Sequence, residues 1–356
     1  MLRRPHVADA QEAEADPLES CLLDRKLFIG STTNATNARY HVEDPGGIQR
    51  DTVIQVSLFV ARPPRVSNIL ICCAGTRFTQ QPVVVATLGG LVLLAIPFRQ
   101  NWSSESQLFL YQPGTIASLY PIPQPSSGTK LCTAGVVPNG SNNGDYLITA
   151  LENDEDPGGE LDLFLYSSAT QTWTVKRPVS MMPPRGFLTY KVIPVGSGSS
   201  MVAFVDIWTS ILFCDVLDGD RPRIHHLPLP STCLSEESTP RVSSVSRPRD
   251  VAIEQVLSAA SGDDLLRIRF VDVVCHPLFK RWRATLWTTT VAAVTPWRQL
   301  DGWRRCSDVE ECRRLPADNP PSRQPARRRD SRRRLSARMD SLSPCFLRPR
   351  AHGIRT

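Results

Sequence analysis

Short apolar runs separated by turn residues set the rhythm of this chain. "SMVAFVDIWTSILFCDVL" (200–217) is almost wholly apolar, yet Asp206 and Asp215 interrupt it. An Asp at mid-bilayer costs about 3 kcal/mol, and the run is shorter than the roughly 20 residues that a spanning helix needs. Its Val, Ile, Phe and Trp content favours strands. The pattern predicts strands at 201–205 and 211–216, joined by a turn at "DIWTS" (206–210) and buried on both faces. "PVVVATLGGLVLLAIPF" (82–98) carries no charge. The Leu-Gly-Gly at its centre is a hairpin signal, so this run also reads as two strands rather than a membrane span.

These hairpins belong to a repeat. From Gly90 the chain reads LVLLAI, QLFLY (107–111) and ASLYPIP (117–123). From Gly144 it reads DYLITAL, LDLFLY (161–166) and WTVKRP (173–178). From Gly198 it reads MVAFVDI, ILFCDVL (211–217) and RIHHLPLP (223–230). Each unit is three strands and a proline exit, and the middle strands start near 107, 161 and 211. A further unit is expected from LLRIRFVDVV (265–274), RATLWTTT (283–290) and a closing strand near Trp297, and an earlier one from TVIQVSLFVARPP (52–64) and SNILICC (67–73). A period near 50 with several strands per unit points to stacked modules that bury each other's faces. The expected fold is all-β: a propeller-like array of antiparallel β-units, the alternative being an irregular β-sandwich or two β-domains. The polar stretch 231–248 is either a surface excursion or a joint between domains.

Composition agrees with many loops and strand ends. Proline accounts for 30 of 356 residues, well above the usual ~5%, which disfavours long helices. The net charge of +6 is unevenly placed. Residues 313–356 hold 13 Arg and 3 Asp, so the body before them is mildly acidic. A general affinity of the body for nucleic acid or anionic membrane is therefore not implied. Residues 1–19 and 304–356 are expected to be disordered, the second as a basic tail. "RRRDSRRR" (327–334) could act as a nuclear-import signal or hold RNA phosphates by charge alone, without aromatic residues for base recognition. It could equally be a functionless tail or a gene-model artefact. The polar start lacks a signal-like apolar core, so the expected location is cytoplasmic or nuclear, not secreted.

The search for chemistry yields no catalytic, cofactor-binding or metal-ligating residues. The ten cysteines show no CxxC spacing, with Cys72–Cys73 adjacent and Cys306 and Cys312 six apart, and read as free thiols. Glycosylation triplets at Asn34, Asn101 and Asn139 read as chance matches. His225 and His226 fall on one strand and point to opposite faces. "GSGSS" (196–200) lacks the Lys of a phosphate loop. The loop "ENDEDPGGELD" (152–162) has six carboxylates, among them Asp154, Asp156 and Asp162, without the spacing of an EF-hand. It reads as a solvated loop. Trp102, Trp173, Trp208, Trp282 and Trp287 read as packing residues rather than ligand platforms.

Several stretches together resemble plant proteins of the domain-of-unknown-function 1618 family, which are numerous in grasses. These are "LLDRKLFIGSTTNAT" (22–36), "VSLFVARPPRVSNILICCAG" (56–75), "FVDIWTSILFCDVL" (204–217), "HHLPLP" (225–230) and "RPRDVAI" (247–253). The resemblance implies a family-defining domain at 205–303 and an accompanying β-rich region at 20–204. It implies no agreed catalytic residues and a β-rich architecture. Two functions follow as expectations: a non-enzymatic module that binds an as yet unknown protein partner, or an enzyme with a loop-borne site. A truncated, non-functional paralogue is the third reading.

Overall fold

The computed structural model describes residues 21–42, 52–74, 78–97, 106–114, 116–125, 133–139, 144–153, 161–179, 186–196, 200–230, 248–257, 264–276, 281–292, 298–299, 302–312 and 345–346. Its regular structure among these residues is all strand, arranged in five sheets. The first sheet holds β1 (Leu22–Leu23), β2 (Phe28–Ile29), β3 (Ala38–Val42), β4 (Thr52–Phe59) and β5 (Val66–Ala74). The next three are antiparallel four-stranded meanders in chain order. They are β6 (Val83–Leu88), β7 (Leu91–Pro97), β8 (Ser106–Gln112) and β9 (Ser118–Pro121); then β10 (Gly135–Pro138), β11 (Tyr146–Asn153), β12 (Leu161–Ser167) and β13 (Thr172–Lys176); then β14 (Lys191–Pro194), β15 (Met201–Asp206), β16 (Ser210–Asp215) and β17 (Ile224–Pro228). The fifth sheet is built from β18 (Arg249–Leu257), β19 (Asp264–His276), β20 (Arg281–Ala292), β21 (Arg298–Gln299) and β22 (Arg304–Cys312). A last short strand, β23 (Cys345–Phe346), pairs with β1.

Period-2 alternation explains how the first four sheets stack. Successive side chains on a strand face opposite ways. On β8, Phe109 and Tyr111 enter one core with Ile54, Val56, Ile69 and Ile71 of the first sheet. Leu108 and Leu110 of the same strand enter a second core with Ile148, Ala150, Phe164 and Tyr166 of the third sheet. Leu163 and Leu165 turn away from that core into another with Phe204, Leu212 and Cys214 of the fourth sheet. Each inner sheet is therefore apolar on both faces, which is why "LVLLAI" and "SILFCD" carry so few polar residues.

The hairpins form as expected. Gly89, at φ 55°, supplies the left-handed turn between β6 and β7. Asp206 organises the turn between β15 and β16. It is 2% exposed, and its carboxylate accepts hydrogen bonds from Trp208 N at 2.8 Å, Thr209 Oγ1 at 2.9 Å and Leu188 N at 3.2 Å. No helix among the described residues is long and apolar enough to cross a membrane.

Two details differ from expectation. The repeating unit has four strands rather than three, because the short β10 and β14 precede the segments read as whole units. Each has four residues and ends in proline, too little pattern to register as a strand. Residues 304–312, expected to open a disordered tail, instead form β22 against β20, where Ser307 and Val309 pair with Leu286 and Ala284. The chain divides into compact units at 228/229. One unit comprises 1–228 with 344–356 and the other 229–343.

Candidate functional site

The side chains singled out for chemistry are dispersed and engaged in packing or loop structure. His225 and His226 lie opposite Phe213 and Leu212 on β16, so their rings leave opposite faces of the sheet. Burial, together with the charge of Arg223, holds His225 below the ordinary histidine value; burial alone does so for His226. Asn34 donates its amide to Leu58 O at 2.8 Å, and its Oδ1 accepts from Thr36 N and Thr36 Oγ1. The amide that glycosylation would modify is thus part of a loop clasp. Cys214 is buried, and desolvation with the adjacent Asp215 charge pushes its thiol up to about 12. Asp154, Asp156, Trp102, Asn101 and 197–199 of "GSGSS" lie outside the described residues, as does 327–334.

Of the acidic hairpin, Glu152 and Asp162 are described, and they stand directly opposite each other on β11 and β12. Glu152 is half-buried. Burial, then the Asp162 charge, raises its carboxyl above the ordinary glutamate value. Arg177 Nε lies 3.6 Å from Asp162 Oδ1. Among the described residues, no three His, Cys, Asp or Glu side chains converge on a metal-sized site.

An aromatic shelf, not anticipated from the sequence, forms at the seam of the second and third sheets. Tyr166 lies one residue before the end of β12 and is buried; Tyr146 begins β11 and Trp173 lies on β13, each half-buried. The rings of Tyr166 and Trp173 are 5.4 Å apart and tilted by 51°. Tyr120 on β9 is 57% exposed. Burial, then the nearby Tyr166 and Tyr120, pushes the Tyr146 phenol up, which places the three tyrosines in one neighbourhood. Trp173 Nε1 donates to Pro123 O at 2.6 Å, clasping the proline exit of the second sheet to the third. The sequence signal was the repeated "FLY", which lies one residue before the end of both β8 and β12. At the equivalent seam one sheet earlier, Tyr111 is fully buried. It donates to Thr36 O at 2.7 Å and accepts from Leu58 N at 3.1 Å. The same residue type thus closes one seam and forms the floor of an open shelf at the next.

The fifth sheet carries a polar row across its strands. Arg249, Asp272, Thr285 and Asp308 stand opposite one another on β18, β19, β20 and β22. Arg249 Nε donates to Asp272 Oδ1 at 2.9 Å, both side chains being nearly inaccessible. The Arg249 guanidinium also sits 5.9 Å over the Phe270 ring. Desolvation acts to raise the Asp308 carboxyl, but hydrogen bonds with Thr285 and Arg305 and the charges of Arg305 and Arg283 outweigh it and hold the carboxyl low. Trp282 and Trp287 are half-buried on β20, the indole nitrogen of Trp287 buried without a hydrogen-bond partner.

Together these features define an all-β protein of mostly antiparallel sheets, the first four of them stacked, whose polar groups chiefly hold turns, seams and cross-strand rows. Residues 204–334 match the model of the family described as a protein of unknown function, DUF1618. The match is to the same family that the sequence stretches resemble. The matched span takes in most of β15, all of β16 and β17, and the fifth sheet. It therefore crosses the division between the compact units at 228/229. A search of curated proteins finds no match to the chain.

Proposed function

We propose that this protein is a non-enzymatic interaction module, with the shelf of Tyr120, Tyr146 and Trp173 as its contact surface for a protein partner. The observation that carries this reading is the shelf itself. Tyr and Trp are the residues most enriched at protein interfaces and among their energetic anchors, because each offers a large rigid apolar body with a polar tip. Here an exposed tyrosine stands beside two half-buried aromatics on a buried tyrosine floor, so a partner would meet a surface already ordered. Face-to-face stacking of four-stranded meanders supports a propeller-like reading of the array, whose strand ends and loops commonly serve as platforms; that step is an analogy of fold. The run 327–334 is proposed as a nuclear-import signal rather than a nucleic-acid-reading element.

The test is quantitative capture of partners by the immobilised full chain from cells that express it, followed by affinity measurement on the recovered partner. Tyr120→Ala is expected to weaken binding by about 30-fold, as loss of an interface anchor does. Val309→Ala, exposed on the fifth sheet, should leave binding unchanged. Equal binding by both variants would overturn the assignment of the shelf.

A further inference from the structure

We propose that β13 is a docking edge for an extended peptide of a partner protein, which joins the third sheet as a further strand beside the aromatic shelf. This rests on the shelf as a contact surface and names the class of partner. β13 pairs with β12 on one side, and no strand among the described residues pairs with the other. The hydrogen bonds around β12 show which groups of β13 lie open. Ser168 N donates to Tyr146 O of β11, whereas Ser167 O and Leu165 O accept from Gln171 N and Thr174 Oγ1. Backbone groups alternate in direction along a strand. Thr172, Thr174 and Lys176, opposite Ser167, Leu165 and Leu163, therefore bond to β12, and Trp173 and Val175 direct their N–H and C=O outward.

Proteins usually blunt an open edge with charge, proline, a bulge or a cover. Residues 172–175 have none of the first three: the strand reads "TWTVK", and its register against β12 is unbroken. Its one charge, Lys176, turns to the fourth sheet, where Nζ donates to Val216 O at 3.1 Å and to Gly219 O at 2.7 Å. The last strands of the two neighbouring sheets, β9 and β17, both end in proline. At the entry to β17 the chain itself shows what such an edge accepts. Val179 pairs in parallel with Arg223, donating to Pro222 O at 2.8 Å and accepting from Ile224 N at 3.0 Å. On β13 the same kind of backbone row adjoins the shelf. Trp173 packs on Tyr166, and Val175, opposite Phe164 and 51% exposed, shares its side of the sheet. Residues of an added strand that stand opposite Trp173 and Val175 lie on that side and widen the aromatic surface. The residues between them meet the exposed Thr172 and Thr174 on the other side. The partner segment is thus extended, with apolar or aromatic residues at alternate positions and small polar ones between them.

The experiment titrates the full chain with a short synthetic peptide that alternates Val or Tyr with Thr, read by fluorescence anisotropy of the labelled peptide and by amide hydrogen exchange of the chain. The peptide is expected to bind and to slow exchange at the Trp173 and Val175 amides by about tenfold or more, while Thr174, already bonded to β12, is unchanged. N-methylation of one alternate set of peptide amides should abolish binding and that of the other set should not, a contrast that adhesion to aromatic rings does not give. Val175→Pro removes one outward N–H where an edge strand tolerates proline, and it should weaken binding by about tenfold. Far-UV circular dichroism checks the fold of that variant, and the methylated peptides test the same bonds on the unaltered chain. A peptide that does not bind, binding without protection at Trp173 and Val175, or equal effects of the two methylation patterns would each overturn the edge. Tyr120→Ala separates this inference from the one it rests on. If Tyr120→Ala alone weakens binding, the shelf stands and the edge falls; if Val175→Pro and one methylation pattern alone do so, the edge stands and the shelf falls.

Discussion

Burial decides the behaviour of individual groups in this protein more than residue type does. Cys214 is a thiol in sequence and a core residue in fact: at about 12, its ionisation lies far above neutral pH, so it holds no thiolate to react. Brief treatment of the folded chain with iodoacetamide should alkylate the exposed Cys306 and leave Cys214 untouched, as read by peptide mass spectrometry. Modification of Cys214 at the rate of Cys306 would show that the seam between the third and fourth sheets opens readily. Glu152 is the opposite case, a charge forced to face another. Its folded ionisation lies above the unfolded glutamate value, so the folded chain binds the extra proton between the two. Stability contributed by this group therefore rises as pH falls through that window and is diminished at neutral pH. Glu152→Gln is expected to stabilise the chain by about 0.5 kcal/mol at pH 7. That gain should vanish once the pH falls below the ordinary glutamate range. Urea unfolding at both pH values checks this, and equal midpoints at pH 7 would mean that Arg177 already offsets the repulsion.

Strands and hairpins were largely legible in the sequence, and the missing strands were unreadable for an identifiable reason. The runs at 83–97, 107–111, 161–166 and 201–216 announce themselves because strands apolar on both faces leave long uninterrupted stretches between glycine turns. β10 has no such stretch, and its first residue, Gly135, resembles a loop residue. In the fold, Gly135 of β10 packs against Val192 of β14: a Cβ there would lie 2.4 Å from Val192 Cγ1 and 2.9 Å from Val192 Cβ. Gly135→Ala should therefore destabilise the chain by about 1–3 kcal/mol through overpacking. Val192→Ala should relieve part of that loss, leaving the double variant more stable than the two single effects summed. Additivity in chemical denaturation would show that the strands can simply move apart. The shelf at Tyr120, Tyr146, Tyr166 and Trp173 was illegible for a related reason. Its residues come from four strands and two sheets, and only face-to-face packing gathers them.

At the scale of the molecule, two compact units predict damage that stays local. Arg249 and Asp272 form a buried pair in the second unit, and Asp272→Ala leaves a buried guanidinium without its carboxylate, a loss of about 3–5 kcal/mol. Hydrogen exchange is expected to accelerate across 249–292 while 92–112, in the first unit, keeps its protection. Faster exchange in both would show that the units unfold as one. The sequence by itself determined the all-β class, the hairpins and the repeating apolar rhythm, because these depend on side-chain alternation and turn chemistry that neighbouring residues already contain. The tertiary structure alone decided the fourth strand of each repeat, the division at 228/229, the strand within the expected tail and the aromatic shelf. Each depends on which distant surfaces meet, and a linear pattern of polar and apolar residues does not record that.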